Sequence, residues 1–231
     1  MELLMSMFLL WQIVRPFSLS IALCGLLPAH TVLAEFCSNI AGDQSKAKET
    51  VKAFQKGGLT IVMRHLDKTP PDKSGEECLT RDGHSRAAKI GENIRDLLPG
   101  SKSWTILYSG KCRTRETAQE IATMLGVAPK KDDNLLPHTG LRDGWFASYA
   151  RDVASKATIG GNHLLVTHSQ KLDLLNKELR ISLHAQPVSD ENYGVAYVLS
   201  GREEKHPLLG CIWLEGWATL NNSHVLNRSH C

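Results

Sequence analysis

Leu59-Thr60-Ile61-Val62-Met63-Arg64-His65 is the stretch from which the fold can be read. Its first five positions carry four apolar residues and one Thr without alternation, the pattern of a short strand buried on both faces. Arg64 and His65 follow at once, just past the strand's carboxyl end, where open α/β sheets place their ligand sites. Taken alone, the pair could equally mark the solvated end of a core strand.

Upstream, Ala47, Val51 and Phe54 at spacings of four and three predict an amphipathic helix over 45–56, closed by Gly57-Gly58. Downstream, the prolines and glycine of 66–75 exclude regular structure. Thr80 is a good N-cap for a helix whose buried face is Ala87, Ile90, Ile94, Leu97 and Leu98, halted by Pro99-Gly100. A second strand over 104–108 leads into a helix with Ala118, Ile121, Ala122 and Leu125 inward and Gly126 as its stop. A short strand is expected within 130–136, a weaker helix over 144–156, and a further apolar strand over 163–168 that ends on His168. A helix over 170–179 follows, and then two strands, 194–199 and 208–214, read as an antiparallel pair joined by a turn over 201–206. Strands alternating with helices make the class α/β.

The chain has 231 residues, 42% hydrophobic and 22% charged, with net charge +3. That supports one sizeable core and a single domain over 35–220, with a polar tail over 221–231. With 6% aromatics and no basic run, no nucleic-acid surface is indicated, whereas a local basic pocket for a small anion remains compatible. Residues 1–34 read as a signal peptide: Arg15, an apolar run over 17–27, and Val32-Leu33-Ala34 ahead of the cut. The competing reading joins 3–14 to the later run as an uncleaved anchor, but Arg15-Pro16 interrupts the apolar stretch and neither half is long enough to span a bilayer comfortably, so no stable membrane span is expected after cleavage. The mature protein is then periplasmic or secreted. It would keep Cys37, Cys78, Cys112, Cys211 and Cys231, an odd number for an oxidising compartment. Cys211–Cys231 is one possible clasp, and the spacing fixes no connectivity. No CxxC occurs, so structural zinc is not expected.

Three strand ends now present Arg64-His65, Ser109 with Arg113, and His168-Ser169. In a largely parallel sheet they share one edge, so two arginines and two histidines can converge. That set suits a phosphate: the guanidinium fork matches phosphate oxygens, and a helix N-terminus beside Arg113 adds backbone donors. One neutral histidine can attack phosphorus while the other donates to an equatorial oxygen.

Arg64-His65, Leu79-Thr80-Arg81-Asp82-Gly83, the run Ser109-Gly110-Lys111-Cys112-Arg113-Thr114-Arg115-Glu116-Thr117-Ala118, and Thr167-His168 resemble, in order, the successive signatures of the histidine phosphatase superfamily, the phosphoglycerate mutase-like phosphatases. The resemblance spans about 58–214. It implies a three-layer α/β/α sandwich with a mostly parallel central sheet, His65 as nucleophile, Arg64 and Arg113 as phosphate ligands, and His168 as the second histidine. Ser109 and Ser169 stand beside these as substrate contacts. No metal or cofactor is implied. Within the superfamily the chain is most similar to the exported bacterial group that includes the lipopolysaccharide core heptose phosphatases, which implies a small phosphorylated substrate such as a cell-envelope sugar phosphate. The alternatives are a phosphohistidine protein phosphatase, or a member that binds phosphate without turnover. Oligomeric state is not legible.

Two departures stand out. Leu66 replaces the Gly that usually follows the nucleophile, which predicts a narrower approach to the phosphate. No Asp follows His168, and no Glu follows Leu135-Leu136, so the leaving-group acid has to be sought at Asp143, then His138, then Asp67. Other chemistries fail on spacing. A cysteine phosphatase needs Arg six positions after Cys, where Cys78 has His84 and Cys112 has Ala118, and neither a GxSxG elbow nor a GxxxxGK loop occurs. His84, His184 and His206 read as solvated.

Overall fold

The uninterrupted apolar run resolves into alternation once the strand has two faces to serve. In the computed structural model, which describes residues 35–36, 43–97, 103–139, 145–157, 161–179, 181–182, 193–201, 208–212 and 216–218, strand β2 (Leu59–Arg64) is buried at all six positions. Ile61 and Met63 join one core cluster and Val62 the other, so successive side chains feed opposite layers. Each fully buried aliphatic side chain contributes about 1.5–3 kcal/mol.

The chain runs β1 (Glu35–Phe36), α1 (Gln44–Lys56), β2, α2 (Arg81–Leu97), β3 (Ser103–Tyr108), α3 (Cys112–Leu125), β4 (Lys130–Lys131), a 3-10 turn (Asp133–Leu135), α4 (Trp145–Lys156), β5 (Gly161–Thr167), α5 (Ser169–Glu178), β6 (Ile181–Ser182), β7 (Ala196–Ser200) and β8 (Leu208–Ile212). Six strands form the central sheet in the order β4-β3-β5-β2-β7-β8, and β1 pairs with β6 apart from it. β2–β5, β3–β5 and β3–β4 are parallel, while β2–β7 and β7–β8 are antiparallel, so the expected mixed, mostly parallel α/β sheet is present. Helices α1, α2 and α3 pack on one face through Phe54, Ile90, Ile94 and Ile121, and α4 and α5 on the other through Phe146, Ala150, Leu172 and Leu175.

Local chemistry sets the element ends. The Asp43 carboxylate accepts from the Ser45 and Lys46 amides at the head of α1. Thr80 Oγ1 accepts from the Gly83 amide at 3.0 Å, as its N-cap reading predicts. Gly126 closes α3 with φ +68°. The segment expected as a strand over 130–136 is a two-residue strand followed by the 3-10 turn, because the Asp132 side chain caps the Asn134 amide and turns the chain. The signal segment, Leu98-Pro99-Gly100, Asp143, His184, His206 and the tail lie outside the described residues. No helix among those described is long and apolar enough to cross a membrane.

Gly83 explains the glycine of the Leu79–Gly83 motif. A Cβ there would lie 2.5 Å from the carbonyl oxygen of Asp67, the same oxygen that accepts from the Thr80 amide at 2.9 Å. The first turn of α2 therefore sits directly on the backbone leaving the central strand. Gly83→Ala should destabilise the protein by about 1–3 kcal/mol through forced backbone movement, read as a drop in thermal midpoint of roughly 2–4 °C per kcal/mol. An unchanged midpoint would contradict this close approach.

Candidate active site

Register brings the histidines together. Arg64 pairs with Thr167 across β2 and β5, and the His65 amide donates to the Thr167 carbonyl at 3.0 Å, so the next residues, His65 and His168, emerge side by side. Their ring centroids are 5.4 Å apart and edge-on. Tyr108 pairs with Val166 on the other flank of β5, which sets Ser109 beside His168.

Hydrogen bonds fix both tautomers. His65 Nδ1 donates to the Leu66 carbonyl at 2.8 Å, so Nε2 carries the lone pair and accepts from Arg113 Nε at 3.1 Å. His168 Nδ1 accepts from Arg113 Nη2 at 3.3 Å, and its Nε2 then donates to Ser109 Oγ at 2.7 Å. Ser109 in turn donates to Thr114 Oγ1 at 2.9 Å, and Thr114 to the Lys111 carbonyl at 2.8 Å. One arginine edge, Nε with Nη2, thus faces both imidazoles, which is the bidentate edge a phosphate would take.

Arg64 is buried and its guanidinium lies 4.5 Å from the Tyr193 ring centroid. Tyr193 also stands 5.7 Å from His65, walling the site on another side. Burial lowers the His65 pKa to about 3; its bond to Leu66 opposes this, and Arg113, Arg64 and Lys68 add to it. Burial likewise lowers His168 to about 2, helped by His65, Arg113, Lys111 and Arg64. Both imidazoles are therefore neutral at physiological pH beside two guanidinium ions, an arrangement that favours an anion.

The other residues expected at the site divide. Ser169 begins α5 with its Oγ turned to the Gln170 side chain at 3.3 Å. His138 is exposed on the turn after Leu136. Asp67 pairs with Arg86 at 3.1 Å. Leu66 needs correction: its side chain is fully buried in the α1–α3 cluster, so its bulk goes to the core and does not narrow the phosphate approach. His84, expected to be solvated, is half-exposed and held between two carboxylates, with Nδ1 hydrogen-bonded to Glu120 at 2.8 Å and Nε2 3.5 Å from Glu116.

Sequence reasoning missed Tyr193 and Glu77. Tyr193 carried a usable signal: in an antiparallel strand the start, not the end, lies at the site edge, and Tyr193 shortly precedes β7. Glu77 is bonded to Arg113 Nη1 at 3.0 Å and to Lys68 at 2.6 Å. Cys78 and Cys112 form a disulfide, and Cys211 is disulfide-bonded to a partner outside the described residues. Cys78, Cys112 and Glu116 are the one group among the described residues close enough to hold a metal ion, and its two sulfurs are spent in that bond. Lys171, fully buried, donates to the Thr139 carbonyl and lies 5.1 Å from the Trp145 ring and 4.8 Å from that of Phe146, which anchors the turn bearing His138.

No protein-family model matches the chain, and no curated protein does. Among solved structures it is similar to the protein histidine phosphatase SixA complexed with tungstate, at 14% identity over 67% of this chain and 93% of that one, TM-score 0.46. It is similar also to a mycobacterial glucosyl-3-phosphoglycerate phosphatase complexed with VO3, at 16% identity over 67% and 96%, TM-score 0.44. A third is phosphoglycerate mutase from Plasmodium falciparum, at 19% identity over 67% and 87%, TM-score 0.41. The chemistry of this chain rests on its own geometry.

The depressed histidines make stability depend on pH with a definite sign. Between pH 6.5 and about 3 the unfolded chain binds protons at His65 that the folded protein refuses, so stability is complete above 6.5 and falls as pH drops toward 3. Each such histidine contributes a slope of at most about 1.4 kcal/mol per pH unit. Denaturant midpoints at pH 4.5 and 7.5 should differ less in His65→Asn than in the wild type; an identical difference would show that His65 is not held neutral.

Proposed function

We propose that the protein is a phosphomonoesterase acting through a phosphohistidine on His65. The observation that carries this is the Arg113 fork, which reaches a lone pair on His65 Nε2 and one on His168 Nδ1 from a single planar edge. A phosphate seated on that fork lies within reach of Nε2, which attacks phosphorus as the ester P–O bond breaks. Arg64 and Arg113 stabilise charge on the non-bridging oxygens. His168, protonated as the dianion enters, donates to one of them while Ser109 accepts from its other nitrogen. The leaving oxygen takes a proton from a nearby acid, and water then cleaves the P–N bond to release phosphate.

A binding role without turnover would require only the arginines; a nucleophile with its tautomer set by Leu66 and a second histidine with its own relay favour catalysis. Glu77 is ion-paired to both Lys68 and Arg113, which holds its pKa below the usual range and makes it a poor proton donor. Asp143 stays the first candidate for that proton, with His138 behind it. Export to the periplasm or beyond belongs to the same proposal, supported by the disulfides at Cys78–Cys112 and Cys211. The substrate class is a small phosphate monoester, with a sugar phosphate of the cell envelope as the specific proposal.

Purified protein should hydrolyse nitrophenyl phosphate and be inhibited by vanadate. His65→Ala should lower turnover by at least about 10³-fold in a protein that still folds, and Arg113→Lys should lower kcat/KM by roughly 10- to 100-fold by keeping the charge but losing the fork. Unchanged turnover in folded His65→Ala would overturn the mechanism. If Asp143 is the acid, Asp143→Asn should slow an alkyl phosphate far more than the aryl one, whose leaving group needs no proton; equal losses would exclude it.

A further inference from the structure

The transfer chemistry gives no task to Glu77, a charged side chain bonded directly to Arg113. Glu77 meets Arg113 at its third nitrogen, Nη1, the one outside the Nε–Nη2 fork. Its carbonyl accepts from the Arg113 amide at 3.1 Å. The next residue, Cys78, is bonded to Cys112, the residue before Arg113, across 34 positions of sequence. One residue further, the Leu79 amide donates to Glu116 Oε2 at 2.7 Å. Residues 77, 78 and 79 are thus fastened in succession to the first five residues of α3 by an ion pair with a backbone bond, a disulfide, and a hydrogen bond.

We propose that Glu77 is a positioning residue for the phosphate-binding fork of Arg113, and that the Cys78–Cys112 disulfide, by pinning Glu77 to α3, ties anion binding to the oxidised state of that pair. The proposal rests on the phosphatase reading above and names a control on the same site. An arginine side chain has several free torsions, and ordering them when the anion arrives weakens binding; a preformed bond at Nη1 orders them during folding instead. Glu77 does this without cancelling the charge the anion needs, because Lys68 shares its carboxylate and leaves Lys68 and Glu77 neutral as a pair. The partners also keep Glu77 ionised.

Opening the bond takes two electrons and two protons, which a dithiol supplies while closing to its own cyclic disulfide. Cys112 is 1% exposed and Cys78 is half-buried, so attack falls on the Cys78 sulfur. Glu77 then keeps only its non-covalent ties.

The test measures the vanadate inhibition constant and the separate kcat and KM for nitrophenyl phosphate, with circular dichroism to confirm folding. Glu77→Gln should raise the vanadate constant and KM by about tenfold, with a smaller change in kcat. In an Arg113→Ala background, Glu77→Gln should add nothing, whereas a merely structural role would add its full effect there. Wild-type protein treated with dithiothreitol should show the same rise, reversed on reoxidation, and the Cys78→Ser/Cys112→Ser variant should match the reduced protein. An unchanged constant in folded Glu77→Gln, or a full effect in the Arg113→Ala background, overturns the positioning role. A rise in Glu77→Gln with none on reduction overturns the dependence on the disulfide. Wild-type protein that neither binds vanadate nor turns over substrate would instead overturn the phosphatase reading, and this inference with it.

Discussion

The parallel pairing of β2 with β5 is the constraint on which the site depends. With Arg64 opposite Thr167, the chain leaves both strands at the same height and delivers His65 and His168 with ring centroids 5.4 Å apart. A slip of one residue would send His65 to the opposite face of the sheet and, with it, move Ile61, Val62 and Met63 into the wrong layers. Two core clusters, one on each face, therefore enforce the register, and the geometry of the two imidazoles follows from ordinary apolar packing.

On that frame the site is assembled against its own electrostatics. Arg64 and His168 are almost fully buried, and burial alone would discourage concentrating cations there. The protein resolves this by keeping both histidines neutral, spreading Arg64 over the Tyr193 ring, and tying Arg113 to Glu77. What remains is a fixed set of donors with surplus positive charge, which is what an incoming phosphate needs and what water organises poorly.

Much of this was legible in the chain itself. The strand 59–64, the Thr80 cap, the Gly126 stop and the antiparallel pair at the end each carry a local signal that tertiary packing did not override. Arg64, His65, Ser109, Arg113 and His168 converge because they share strand ends. Glu77 was invisible because its role comes from a partner 36 positions away by number and from a disulfide that spacing alone does not pair. Leu66 misled for a related reason: sequence shows its size, and only packing shows its direction. His84 was read as solvated because nothing in α2 announces that α3 brings Glu116 and Glu120 against it.

The most direct test of the central claim is chemical trapping of the intermediate. Protein mixed with nitrophenyl phosphate, quenched in alkali within the first turnover and digested, should yield a phosphorylated peptide containing His65 whose modification survives base and is lost in acid, the behaviour of a phosphohistidine. Phosphate found on another residue, or steady turnover in which no such peptide accumulates in either wild-type or His168→Asn protein, would contradict the account.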